Sequence, residues 1–369
     1  MKNKTKVISI IIFLSVSIML ASFGGQKAKW KGKIEKENGV IVVKNPKKPM
    51  YGEDVFSLKE ELSIGEAEGS EEYMFSQIRG IAVDDEEKIY VADRKESYIK
   101  VFDKTGKYLR TVGKKGQGPG ELGGPRSVSI TSENEIMVPD LFIRRLAFFT
   151  LEGEFIKNIS TAKMDLMTTK IDSKGNIIAI DAVREEENSR YELKKFDSDL
   201  NYLFSLGSSP LPDPSRFNPF LAVLRWDLTS NDQIVCGYPK TYEIKIYDME
   251  GSAVRKILKD HDPIEISKED IEERTKGIPA RIELSIPKYY SAFQRISVDD
   301  ENRIYVLTWE RITDGEGYYF DIFDSEGKYI AKIPLEFQPQ AFKKNKLYTI
   351  EEDEEGYQYV KRYKVTWRY

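Results

Sequence analysis

One phrase recurs along this chain and restricts its fold more than anything else in it. A short β run leads through a turn of Asp, Gly, Asn or Lys to an Ile-x-Val run, a loop, and an aromatic–Asp step closed by a Gly turn. The fullest copy reads Gly80-Ile-Ala-Val-Asp84, Lys88-Ile-Tyr-Val-Ala-Asp93, Ile99-Lys-Val-Phe-Asp103, Thr105-Gly106 and Tyr108-Leu-Arg-Thr-Val112. Four alternating runs bounded by turn residues are the mark of consecutive antiparallel strands, not of helices. The aromatic of the third run recurs at Phe102, Phe149, Phe196, Tyr247, Phe323 and Tyr363, with spacings of 47, 47, 51, 76 and 40 residues. An acid follows it at Asp103, Asp197, Asp248 and Asp324, while Thr150 and Lys364 take that place in the other two copies. A period near 45–50 residues with four strands per unit is what a β-propeller is built from. The reading is therefore an all-β, six-bladed β-propeller with four antiparallel strands per blade.

The ends of the chain close the ring. After Tyr363 only six residues remain, too few for a fourth strand in the last blade. Val55-Phe-Ser-Leu58 to Leu62-Ser-Ile64 is a β run with no blade of its own. This N-terminal strand is expected to complete blade six, leaving no open sheet edge where the ring joins.

Ahead of it lie two further segments. Lys2, Lys4 and Lys6 precede an uncharged stretch from Val7 to Ala21 and a small-residue end at Ser22 and Gly24. That stretch is short of the roughly 20 residues a spanning helix needs and has the form of a secretory signal. Residues 1–24 are read as a signal peptide, the protein as exported to the periplasm or beyond, and membrane contact as confined to that segment if it stays uncleaved. Residues 25–53, rich in lysine with one short run at Val40-Ile-Val-Val43, are read as a charged linker, and residues 54–369 as the propeller.

Composition narrows the chemistry. One Cys (Cys236) and one His (His261) exclude a disulfide framework, Cys/His zinc sites and multi-histidine metal cages. Without residues 1–24 the net charge is −7, so nucleic acid is not an expected partner.

The loop Gly113-Lys-Lys-Gly116-Gln-Gly118-Pro119-Gly120-Glu121-Leu, followed by Pro125-Arg126 and a strand, resembles the inter-blade loop of NHL-repeat proteins. Ile89-Tyr-Val-Ala-Asp93 and Val101-Phe-Asp103-x-x-Gly106 resemble strands of the same repeat. The resemblance implies a secreted bacterial six-bladed propeller acting as a binding module, or else a metal-assisted hydrolase or lyase of lactonase type. NHL-like lyases are expected to hold zinc through histidines, a set this chain lacks.

Function is expected on one rim. The first-to-second and third-to-fourth turns are tight, whereas second-to-third loops and blade-to-blade connections are long and uneven, and both of these emerge on the same face. The longest connection, Asp260–Phe293, is expected to carry a helix from Lys268 to Lys276, capped by Ser267 and stopped at Gly277. It is either a lid over that face or a decoration on the rim. Arg79, Arg126, Arg225 and Arg295 open four first strands. They form either a cationic ring for a carboxylate, phosphate or sulfate, or ordinary ion pairs with nearby acids. Arg225 and Arg295 sit one residue out of register with the other two. Tyr238 and Trp309, with Tyr242 and Tyr318, are loop aromatics able to stack on a ligand. Asp93, Asp140 and Asp181 end second strands at matching places. They are candidates for a calcium site, against the alternative that each fastens its own loop; no other cofactor is predicted. The expected partner is a small anionic or carbohydrate-like ligand, or a protein segment. Cys236 is expected to be a buried small hydrophobe, and the acids Glu185–Glu187 solvated loop charge.

Overall fold

The computed structural model describes residues 28–369 apart from 186–188, 214 and 314–315. The expected signal segment and most of the acidic run at 185–187 lie outside the described residues.

Six four-stranded antiparallel units follow one another round an axis. Their innermost strands are Ile78–Val83, Ser129–Ile130, Leu166–Ile171, Arg225–Leu228, Arg295–Val298 and Pro339–Lys343. Blade one continues outward through Ile89–Asp93, Tyr98–Phe102 and Tyr108–Val112. The second strand is buried on both faces, because each blade packs between two others: Ile89, Tyr90, Val91 and Ala92 are all fully buried. The third-strand aromatics serve the same purpose, with Phe102, Phe149, Phe196 and Phe323 in the cores between blades.

The acid after each aromatic has a local cause. Asp103 Oδ1 accepts the N–H groups of Thr105 (2.8 Å) and Lys107 (3.0 Å), and Asp197, Asp248 and Asp324 hold the matching pairs in their own blades. Each carboxylate thus satisfies two donors of the turn it opens. The hydroxyl of Thr150 accepts one of the two, the Glu154 N–H, at 3.2 Å. Lys364 has no such turn to hold, since the third strand of blade six, Gln358–Trp367, runs on almost to the C-terminus.

Closure follows expectation. Phe56–Ile64 pairs antiparallel with Gln358–Trp367 as the outermost strand of blade six.

The lysine-rich segment differs from expectation. Lys33–Glu37 and Val40–Asn45 form a hairpin, and its second strand pairs in parallel with Ala253–Lys259, the outer strand of blade four. Val42 (1% exposed) and Val43 (0%) are buried there, each worth about 1.5–3 kcal/mol. Lys33 and Lys36 are exposed on the first strand, while the apolar run of the second does the packing. Asn45 fastens the exit. Its Oδ1 accepts the Tyr329 N–H at 2.7 Å and its Nδ2 donates to the Gly327 carbonyl at 2.9 Å. The chain then bonds the outer strand of blade five through Met50 N–H to Tyr329 O (3.1 Å) and Tyr51 N–H to Ile330 O (2.9 Å) before entering blade six. Among the described residues no helix is long and apolar enough to cross a membrane.

Candidate functional site

The inner strands leave a channel of about 1220 Å³ along the axis. Every inner strand starts on the face that carries the long loops, so its first residues form that mouth. Arg79, Arg126, Arg225 and Arg295 all line the channel. The register offset is absorbed by a bulge. Ile78 pairs with Asp93 and Gly80 with Ala92, leaving Arg79 as the extra residue, which a bulge re-aims. Arg225 and Arg295 pair regularly with Gly237 and Leu307.

A fifth guanidinium joins them. Arg94 follows Asp93 at the end of a second strand, and its N–H bonds the Gln77 carbonyl at 2.9 Å, which brings it beside Arg79. Its guanidinium lies 4.9 Å from the centre of the exposed Phe142 ring. The sequence signal for Arg94 was available: strand pairing puts the residue after Asp93 at the same mouth. Phe142 and Trp226 also line the channel.

Among the described residues no carboxylate is bonded to any of the five arginines. Arg295 donates to the Gln338 amide oxygen at 2.7 Å, and the buried Nε of Arg225 has no partner. The acids of the channel wall are engaged elsewhere. Asp227 takes Lys170 and the Val298 N–H (2.9 Å), Asp299 takes the Arg303 Nε (2.7 Å), and Asp300 takes the Asn345 N–H (3.1 Å). Burial pushes Arg126, Arg225 and Arg295 below the usual arginine value, and neighbouring guanidiniums add to it: Arg94 and Arg79 for Arg126, Arg295 for Arg225. Two like charges about 10 Å apart cost about 1.7 kcal/mol at the effective dielectric of a protein surface. A bound anion would remove that repulsion.

Asp93, Asp140 and Asp181 are not brought together. The Asp93 carboxylate, fully buried, accepts the N–H groups of Ser76 (2.7 Å), Gln77 (3.1 Å), Lys95 (3.1 Å) and Glu96 (3.2 Å). Asp140 holds Gly123 N–H at 2.7 Å, and Asp181 holds Asp165 N–H at 3.0 Å and Lys194 Nζ at 2.9 Å. Each fastens its own blade, so the three do not form a shared metal site. Among the described residues no group of three or more His, Cys, Asp or Glu is arranged to hold a metal.

Tyr238 and Trp309 are not at the mouth either. Tyr238 packs on the core between blades three and four. Trp309 is clamped between Tyr290, stacked at 4.3 Å, and Arg274, 5.1 Å from its ring centre, and its Nε1 donates to Ser291 at 3.1 Å. These contacts hold down the long insertion, whose helix spans Lys268–Thr275 and is capped by Ser267, which accepts the Asp270 N–H at 3.0 Å. No described residue of that insertion lines the channel. It roofs a separate cavity of about 700 Å³ over blades four and five. That cavity holds Tyr242, whose hydroxyl donates to Asp321 at 2.6 Å, and His261, 5.4 Å from the Tyr242 ring. Tyr318 lies under Arg311.

A ring of sheets round a cation-lined channel defines a propeller with one open axial site. Residues 6–266 match the 6-bladed beta-propeller family, and the chain belongs to it. A candidate exported protein from Bacteroides fragilis is 12% identical with a TM-score of 0.60, the match covering 89% of this chain and 100% of that one. A member of the duf4221 family from Bacteroides vulgatus is also 12% identical, with a TM-score of 0.54 and coverage of 86% and 100%. At these identities the likeness is one of fold. No curated protein matches the sequence.

Proposed function

We propose that this protein is an exported binding module that takes a small anionic ligand at the loop-side mouth of its axial channel. Five guanidiniums facing one mouth without a bonded carboxylate carry this reading. Guanidinium forks suit carboxylate, phosphate and sulfate oxygens. The export half rests on the basic, then apolar, then small-residue order of the first 24 residues. A metal-assisted hydrolase is less well supported, because Asp93, Asp140 and Asp181, the carboxylates first in line for a metal, are each spent on their own loop.

The test is calorimetric titration of residues 25–369 at low salt with sulfate, citrate and glucose. Citrate and sulfate should bind and glucose should not. An Arg126→Gln/Arg225→Gln double variant should weaken citrate by at least about 10-fold, one charged hydrogen bond being worth about 1.5–3 kcal/mol. Equal citrate binding by variant and parent would place the site elsewhere.

A further inference from the structure

The arginines are not spread evenly round the channel. Arg79 and Arg94 belong to blade one and Arg126 opens blade two. Arg225 belongs to blade four and Arg295 to blade five. Blades three and six supply Met167 and Thr168, and Pro339 and Gln340, near the same level. Lys170 and Lys343 of those blades stand at the far ends of their strands, paired with Asp227 and Asp85. In a six-bladed ring each blade turns the chain by about 60°. The middle of blades one and two is therefore three steps, half a turn, from the middle of blades four and five. The electrostatics divide the same way: Arg126 is perturbed by Arg94 and Arg79, and Arg225 by Arg295.

From this arrangement we infer that the channel ligand carries two oxyanionic groups, carboxylate or phosphate, and spans the mouth with one group at each arginine cluster. A single carboxylate occupies one cluster and leaves the other uncompensated. A molecule with both ends charged neutralises both, and its second contact forms at high effective concentration. At the level of the arginines, the two sides between the clusters are Met167 and Thr168 of blade three and Pro339 and Gln340 of blade six, all uncharged, which suits an uncharged middle. This inference rests on the anion site proposed above and specifies what occupies it.

The experiment titrates residues 25–369 with α,ω-dicarboxylates from succinate to azelate, with the monocarboxylates butyrate and octanoate, and with fructose 1,6-bisphosphate. One dicarboxylate length should bind about 10²-fold or more tighter than the monocarboxylates, with shorter and longer members weaker. If the bisphosphate exceeds every dicarboxylate, the anionic groups are phosphates; the reverse order makes them carboxylates. Arg79→Gln/Arg126→Gln and Arg225→Gln/Arg295→Gln should each erase the length preference, whereas Lys174→Ala on an exposed turn should keep it. Melting curves of all three variants establish that they fold. Monocarboxylates binding as tightly as every two-ended probe would overturn the bridging while leaving the anion site standing. Binding by none of the probes would overturn both.

Discussion

Arg145 and Arg225 show how differently one side chain can be used in this fold. The glycine-rich loop after blade one coils round Arg145, whose guanidinium donates to the carbonyls of Gln117 (3.0 Å), Gly118 (3.3 Å) and Glu121. Gly116 and Gly120 hold the positive φ angles that such a coil requires. A loop that could pass for an anion cradle is therefore turned carbonyl-first onto a buried cation. Both arginines keep a buried Nε without a partner, but Arg225 stands on the channel wall with no coil of carbonyls closed on its terminal nitrogens among the described residues. Both residues look alike in sequence; what differs is what other blades and loops bring to them. Cys236 was legible, because an apolar β run around it implies burial on both faces. Its thiol is pushed up to about 12 by burial. At pH 8 a thiol reagent should react at least about 100-fold more slowly with native protein than with protein in urea, read by absorbance. Rapid native labelling would show that the blade interior opens.

At the scale of elements, the same device joins neighbouring blades again and again. Arg110 donates to Leu151 O, Lys195 to Met249 O (3.0 Å), Arg255 to Ser325 O (2.7 Å) and Arg362 to Lys104 O (2.6 Å). In each case a cation of one blade reaches a carbonyl in the third-to-fourth turn of the next. The N-terminal arm adds a second layer, covering the outer edges of blades four and five with Val40–Asn45 and with Met50 and Tyr51. The Val40-Ile-Val-Val43 run was visible in the sequence. Its partner strand was not, because parallel addition at an edge leaves no turn signal and no fixed spacing. Asn45 is the fastening point, 3% exposed. Replacing it with Ala strands the Tyr329 N–H and the Gly327 carbonyl, so Asn45→Ala should cost about 2–3 kcal/mol in urea unfolding. Lys36→Ala, on the exposed part of the same hairpin, should stay within about 0.5 kcal/mol. Equal effects would mean that the arm contributes no more than its charge.

At the scale of the whole molecule, stability depends on one seam. Blade six is made from both ends of the chain, with Lys59 opposite Lys364 across the final strand pair. A Lys59→Cys/Lys364→Cys variant should form a disulfide that closes nearly the entire ring. Its oxidised form should be about 3–5 kcal/mol more stable than its reduced form, measured by denaturant unfolding; failure to cross-link would mean a different register at the seam. Blade number and closure could be read from residues alone because turn acids, alternation and aromatic spacing act within a few positions of each other. Every blade therefore carries its own copy of the instructions. Which cations lack acids, and that they gather in two opposed groups round the channel, was decided only in three dimensions. Charge compensation in a ring is settled between strands of different blades, far apart in the chain, and no local pattern records it.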